Sequence, residues 1–129
     1  MNLKFYEREW RVYADYWKVN YTPKEALKIG NKLAKHFKIK YVQFRFTSNQ
    51  NGYANYWGRI TLPKQNIALA MICHELGHIL SVKKYGSKGK GHNKWLKKAN
   101  KQIYRYAIKY LPIEILLGIR TQKLLENKS

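Results

Sequence analysis

Apolar positions change their spacing along this chain, and each change marks an element. Residues 3 to 19 carry aromatics (Phe5, Tyr6, Trp10, Tyr13, Tyr16, Trp17) at helix-compatible intervals, which predicts an N-terminal helix packed on a core. Thr22-Pro23-Lys24-Glu25 is a capping box with proline at the first helical position. It opens a helix whose apolar face runs through Ala26, Leu27, Leu33, Ala34 and Phe37. His36, near its end, suits a structural role at a helix C-terminus. Tyr41 to Phe46 then alternates with period two, and Tyr53 to Leu62, after the Ser48–Gly52 turn, offers further strand. A small, mostly antiparallel sheet is expected, with Gly58–Leu62 placed as an edge strand that could hold an extended peptide.

Helical spacing resumes from Ile67 to Leu80, with Asn66 as the expected N-cap. A basic loop punctuated by glycine, Ser81 to Gly91, leads to a last helix. There His92, Trp95, Leu96, Ala99, Ile103, Tyr106, Ala107 and Tyr110 share a face, and Lys94, Lys97, Lys98, Lys101, Arg105 and Lys109 lie largely elsewhere. Leu111 to Leu125 is a closing apolar-rich segment of undetermined form, followed by a polar tail. The pattern predicts one α+β domain over residues 1–129, with its core at about 22–110.

Composition narrows the partners. The 129 residues suffice for one core, and 26 Lys and Arg against 7 Asp and Glu give a formal charge of +19. That balance favours polyanions. Nucleic acid comes first, with an anionic membrane surface or an acidic protein behind it. Cys73 is the only cysteine, which excludes an intramolecular disulfide and a cysteine-rich zinc ribbon and fits a reducing compartment. Met1 to Arg8 lacks an apolar signal core, and the apolar runs are too short to span a bilayer, so a soluble intracellular protein is expected.

The chemistry concentrates in His74-Glu75-Leu76-Gly77-His78 and in His92. Histidines four apart share one helix face, so His74 and His78 can grip one metal ion with Glu75 beside the remaining coordination position. Burying the three polar side chains of the motif without a metal would be costly. With His92 as a third ligand, zinc keeps an open position for water. Its pKa falls to roughly 7, and Glu75 can take the proton as the water attacks a carbonyl. This is the chemistry of peptide hydrolysis. Tyr85, Tyr53, Tyr56 and Arg59 are candidates for stabilising the oxyanion. Lys83, Lys84, Lys88, Lys90, Lys94, Lys98 and Lys101 could form a phosphate-binding surface beside the cleft. Gly77 costs about 0.5–1 kcal/mol relative to alanine inside a helix, which implies close approach by another segment. A basic nucleic-acid-binding protein with purely structural zinc would need a fourth ligand, and Cys73, next to His74, points off its face.

The motif, the loop after it, and Gly91-His92 followed by Trp95, Leu96, Lys97, Lys98 and Ala99 resemble the SprT-like or Spartan metallopeptidases. Gly58-Arg59-Ile60-Thr61-Leu62-Pro63 is also similar to theirs, and the likeness covers roughly residues 22 to 110. The resemblance implies a minimal zincin-like peptidase: N-terminal helices, a small sheet, an active-site helix and a basic C-terminal helix. It also implies His74, His78 and His92 as Zn2+ ligands, Glu75 as general base, and, as in some members, proteins crosslinked to DNA as substrates. Two features depart from that pattern: Asn93 stands where a second glycine is usual, and no zinc ribbon follows. His-Glu-Leu-Gly-His also resembles the ImmA/IrrE-like peptidases, which cleave repressors, but their acidic downstream motif is missing near residues 79 to 113.

Overall fold

Thr22 starts the first helix among the described residues by exchanging hydrogen bonds with Glu25. The Thr22 hydroxyl accepts from the Glu25 N–H at 3.2 Å, and the Glu25 carboxylate accepts from the Thr22 N–H at 3.0 Å. Two otherwise orphaned donors are thereby satisfied, and Pro23 fills a position that needs none. A computed structural model of the chain describes residues 20–49 and 51–110; the aromatic segment at 3–19 and the apolar-rich segment at 111–125 lie outside the described residues. Helix α1 (Pro23–His36) buries Ala26, Ile29, Gly30, Leu33 and Ala34. Leu27, expected on the buried face, is 40% exposed, because the face is centred on Ile29 and Leu33 instead.

Among the described residues three strands form the main sheet: β2 (Gln43–Thr47), β3 (Tyr53–Ala54) and β4 (Arg59–Pro63), in the order β2-β4-β3. β2 runs parallel to β4 from Gln43↔Arg59 to Thr47↔Pro63, and β3 is antiparallel to β4 through Tyr53↔Thr61 and Ala54↔Ile60. This corrects two expectations. The sheet is mixed, with its longest pairing parallel, and Arg59–Leu62 is the central strand rather than the edge. Burial gives the reason: Ile60, Thr61 and Leu62 point alternately to opposite faces, yet all three are buried. Beyond the last pair of β2 and β4, the Lys64 N–H donates to the Thr47 carbonyl at 2.8 Å.

A second ribbon pairs β1 (Asn20–Tyr21) with β5 (Ile67–Ala68), antiparallel. Each of its strands leads almost directly into a helix: β1 into α1, and β5 into α2 (Leu69–Tyr85). The start of α2 is a correction too, since its N-cap is Ala68 without a side-chain bond and not Asn66. Asn66 instead takes a left-handed conformation (φ 60°), and its Oδ1 accepts from Asn20 Nδ2 at 3.4 Å. Pairing of Ile67 and Ala68 with β1 uses residues that local spacing assigns to the helix.

Every residue of α2 from Ile72 to Ser81 is buried, the pattern of a helix enclosed on all sides. Against it pack α1, the strands and α3 (Lys94–Tyr110). The buried face of α3 is Leu96, Ala99, Asn100, Ile103, Tyr104 and Ala107, with Trp95 and Tyr106 half-buried at its margins. Tyr104 and Asn100 are additions to the expected face. The Tyr104 hydroxyl donates to the Ala70 carbonyl at 3.0 Å, and that bond lets a polar ring tip sit in the core. No helix among the described residues is long and apolar enough to cross a membrane.

Candidate metal centre

The i, i+4 spacing on α2 brings His74 and His78 together, and the chain then has to return for His92. Gly86–Gly89 makes a short 3-10 turn after α2, pinned by the Ser81 hydroxyl, which donates to the Gly89 carbonyl at 2.8 Å. Asn93 completes the return. Its Oδ1 accepts from the N–H groups of Trp95 and Leu96 at 3.0 and 3.2 Å, while its Nδ2 donates to the carbonyls of Lys88 and Lys90 at 3.1 and 2.8 Å. One side chain thus caps α3 and ties it to the loop before it, a task glycine could not perform. From the other side, the Gly91 N–H donates to the Tyr56 hydroxyl at 2.9 Å. His92 is held between these two ties.

The three imidazoles converge. His74 Nε2 lies 3.2 Å from His78 Nε2 and 3.3 Å from His92 Nε2, and the ligand atoms of the three residues all fall within 4.8 Å of one another. A tetrahedral ion at the usual Zn–N length of about 2.0–2.1 Å requires nitrogens about 3.3–3.4 Å apart, so two of the three spacings fit zinc. His74 and His78 are buried and His92 half-buried, which leaves the approach on the His92 side. Burial first, then the neighbouring His74 and His92, push the His78 imidazole down to about pKa 3. It is therefore neutral, with its lone pair available to a metal. Among the described residues no fourth His, Cys, Asp or Glu joins the group. Cys73 is buried as a free thiol. Glu75, also on α2, is 5% exposed.

Gly77, inside the motif, lies against α3. A Cβ there would stand 1.5 Å from Asn100 Oδ1 and 2.7 Å from its Cγ. The expected close approach is thus made by a buried asparagine, whose Nδ2 and Oδ1 have no hydrogen-bond partner among the described residues.

The oxyanion candidates separate. Tyr56 is drawn to the loop beside His92 through Gly91. Tyr53 is exposed on β3 opposite Thr61, and Arg59 lines a surface cleft with Tyr41 and Trp57. Tyr85 ends α2, about 10 Å along the axis from His78 at 1.5 Å per residue, and packs against Trp95 with ring centroids 4.8 Å apart and ring planes tilted by 39°.

No protein-family model, curated protein or solved structure matches the chain.

The lysines also divide by role. Lys88, Lys94 and Lys98 gather over the Trp95 ring at 4.6, 4.9 and 4.9 Å from its centroid, and Lys90 lies 5.7 Å from that of Tyr56. These four flank the His92 loop, and Lys101 is exposed farther along α3. Lys84 donates to Gln102. Lys83 turns elsewhere, donating to the Phe37 and Lys38 carbonyls at 3.1 and 2.8 Å at the end of α1. His36, in the last turn of α1, stacks on Tyr106 at 3.5 Å between centroids and stays structural, as expected. Sequence reasoning missed the Asn93 cap, although asparagine just before an amphipathic run was a readable signal.

Proposed function

We propose that the chain is a zinc-dependent endopeptidase that cleaves proteins associated with nucleic acid. The observation that carries this reading is the convergence of three imidazoles, His74 and His78 from a buried helix and His92 from the loop that follows it, with His74 Nε2 3.2 and 3.3 Å from the other two Nε2 atoms and Glu75 directly after His74. His74, His78 and His92 would hold the ion. When bound, zinc polarises a carbonyl and makes a water acidic enough to be deprotonated near neutral pH. Glu75 would act as the base that accepts a proton from water and passes it to the departing amine, and its burial would keep bulk water from the carboxylate. Three ligands and no fourth among the described residues support a site open to substrate rather than a purely structural one. Recruitment to nucleic acid is supported by the charge of +19 and by the lysines at the His92 loop.

The test joins metal content to turnover. Purified wild type should carry one zinc per chain, and His92→Ala should lose it. Cleavage of DNA-bound protein should occur with wild type and be absent with Glu75→Gln, which keeps its zinc. A chain that binds no zinc overturns the reading, and turnover retained by Glu75→Gln overturns the assignment of the base.

A further inference from the structure

The described surface carries almost no negative charge. Its only carboxylates are Glu25, engaged in the capping box, and Glu75, buried in α2. Against that background lies a cleft of about 570 Å³ at the starts of β2 and β4, lined among others by Lys40, Tyr41, Gln43, Asn55, Trp57 and Arg59. Tyr41 is 84% exposed and Trp57 88% exposed. A smaller recess beside it adds Arg45 to the same row of cations.

These two rings are exposed on backbone that is tightly held. The Asn55 Oδ1 accepts from the N–H groups of Trp57 and Arg59 at 3.1 and 3.0 Å, and the Asn55 N–H donates to the Arg59 carbonyl at 2.9 Å. The Gln43 N–H donates to the Gly58 carbonyl at 2.8 Å, which ties the turn to β2. Gly58 has φ 108°, and a Cβ there would stand 1.7 Å from the Tyr41 carbonyl oxygen, so the segment bearing Tyr41 rests directly on the turn bearing Trp57. A tryptophan can bury about 150–250 Å² in a core, and this fold instead presents one outward on a fixed turn, with a tyrosine beside it and cations around both.

Flat apolar faces among unneutralised cations match a polymer of flat bases and phosphates. A bilayer-inserting tip would place aliphatic side chains beside the tryptophan, whereas Trp57 has Asn55, Tyr56, Gly58 and Arg59 as its chain neighbours. A duplex hides its base faces in its own stack. We propose that the Tyr41–Trp57 cleft binds single-stranded nucleic acid, the two rings stacking bases while Lys40, Arg59 and Arg45 neutralise phosphates. Tyr56, adjacent to Trp57, ties the same turn to Gly91, so a strand held here runs beside the loop that presents His92. Binding of this kind stands whether or not Glu75 drives hydrolysis.

The experiment is fluorescence anisotropy of a labelled oligothymidine titrated with the full chain across a salt series, alongside a duplex of the same length and anionic phosphatidylserine vesicles. Trp57→Ala and Tyr41→Ala should each weaken binding to the single strand by about 5- to 150-fold, the range of one stacked base, with an unchanged salt slope. Lys40→Ala combined with Arg59→Ala should flatten that slope by about 0.7 for each phosphate left without its cation. Trp57→Phe, which keeps a ring, should retain most of the affinity. Because both rings are exposed, the variants should melt with wild type. Wild-type affinity in Trp57→Ala and Tyr41→Ala, equal loss on the duplex, or binding to vesicles in place of the oligonucleotide would each overturn the proposal.

Discussion

Replacing Gly77 with alanine sets two effects of opposite sign against each other. Helix propensity alone favours alanine by about 0.8–1.0 kcal/mol at an interior position. The added Cβ, however, would lie 1.5 Å from Asn100 Oδ1 and 2.7 Å from Asn100 Cγ. Turning the amide about its last bond moves the oxygen but not Cγ, so Asn100 has to change χ1 or α3 has to withdraw. Asn100 is 3% exposed, and the space around it is closed. Overpacking of this kind costs about 1–3 kcal/mol, enough to reverse the propensity gain. The expected outcome is a net loss of up to about 2 kcal/mol, read as a fall in melting temperature of up to about 8 °C. Zinc affinity should fall with it, because α3 begins just after His92. The double variant Gly77→Ala/Asn100→Ala should lose less than the sum of the two single changes, by more than about 1 kcal/mol. Stabilisation by Gly77→Ala alone would refute the account of that crossing.

Asn93→Ala should cost about 0.5–2 kcal/mol through the lost cap on α3, and should weaken zinc binding in a chelator competition by freeing the loop before His92. Unchanged zinc affinity would detach the cap from the metal centre. Lys83→Met should lower stability by up to about 1 kcal/mol, since the ammonium bonds two carbonyls at the end of α1, and should leave the salt dependence of nucleic-acid binding as in wild type. A flatter salt slope would return Lys83 to the phosphate-binding surface.

What the sequence displayed was chemistry set by nearby residues. Thr22, Pro23 and Glu25 announce a helix start because the two bonds involved span three residues. His74 and His78 announce a shared face because helical spacing is local, and Gly77 announces a neighbour through its missing side chain, though not which neighbour. The sheet was hidden for the converse reason. Gln43 pairs with Arg59 in a parallel ladder while the hairpin partner of Arg59's own strand is β3, and nothing in the period-two pattern distinguishes these arrangements. Ile67 and Ala68 fit a helix by spacing and were claimed by β1 from far along the chain. Tyr41 and Trp57 escaped notice because aromatic residues are assigned to cores by default, and only their surroundings reveal them as exposed.

The ribbon of β1 and β5 acts as an index mark for the whole metal centre. Ala68 is fixed opposite Asn20, α2 begins at the next residue, and His74 follows on the second turn. Each residue of helix turns its side chains by about 100°. One residue gained or lost between Ile67 and His74 would therefore swing both imidazoles away from His92 without breaking the helix that carries them. The direction in which the histidines point is thus encoded in a two-residue pairing that contains none of them.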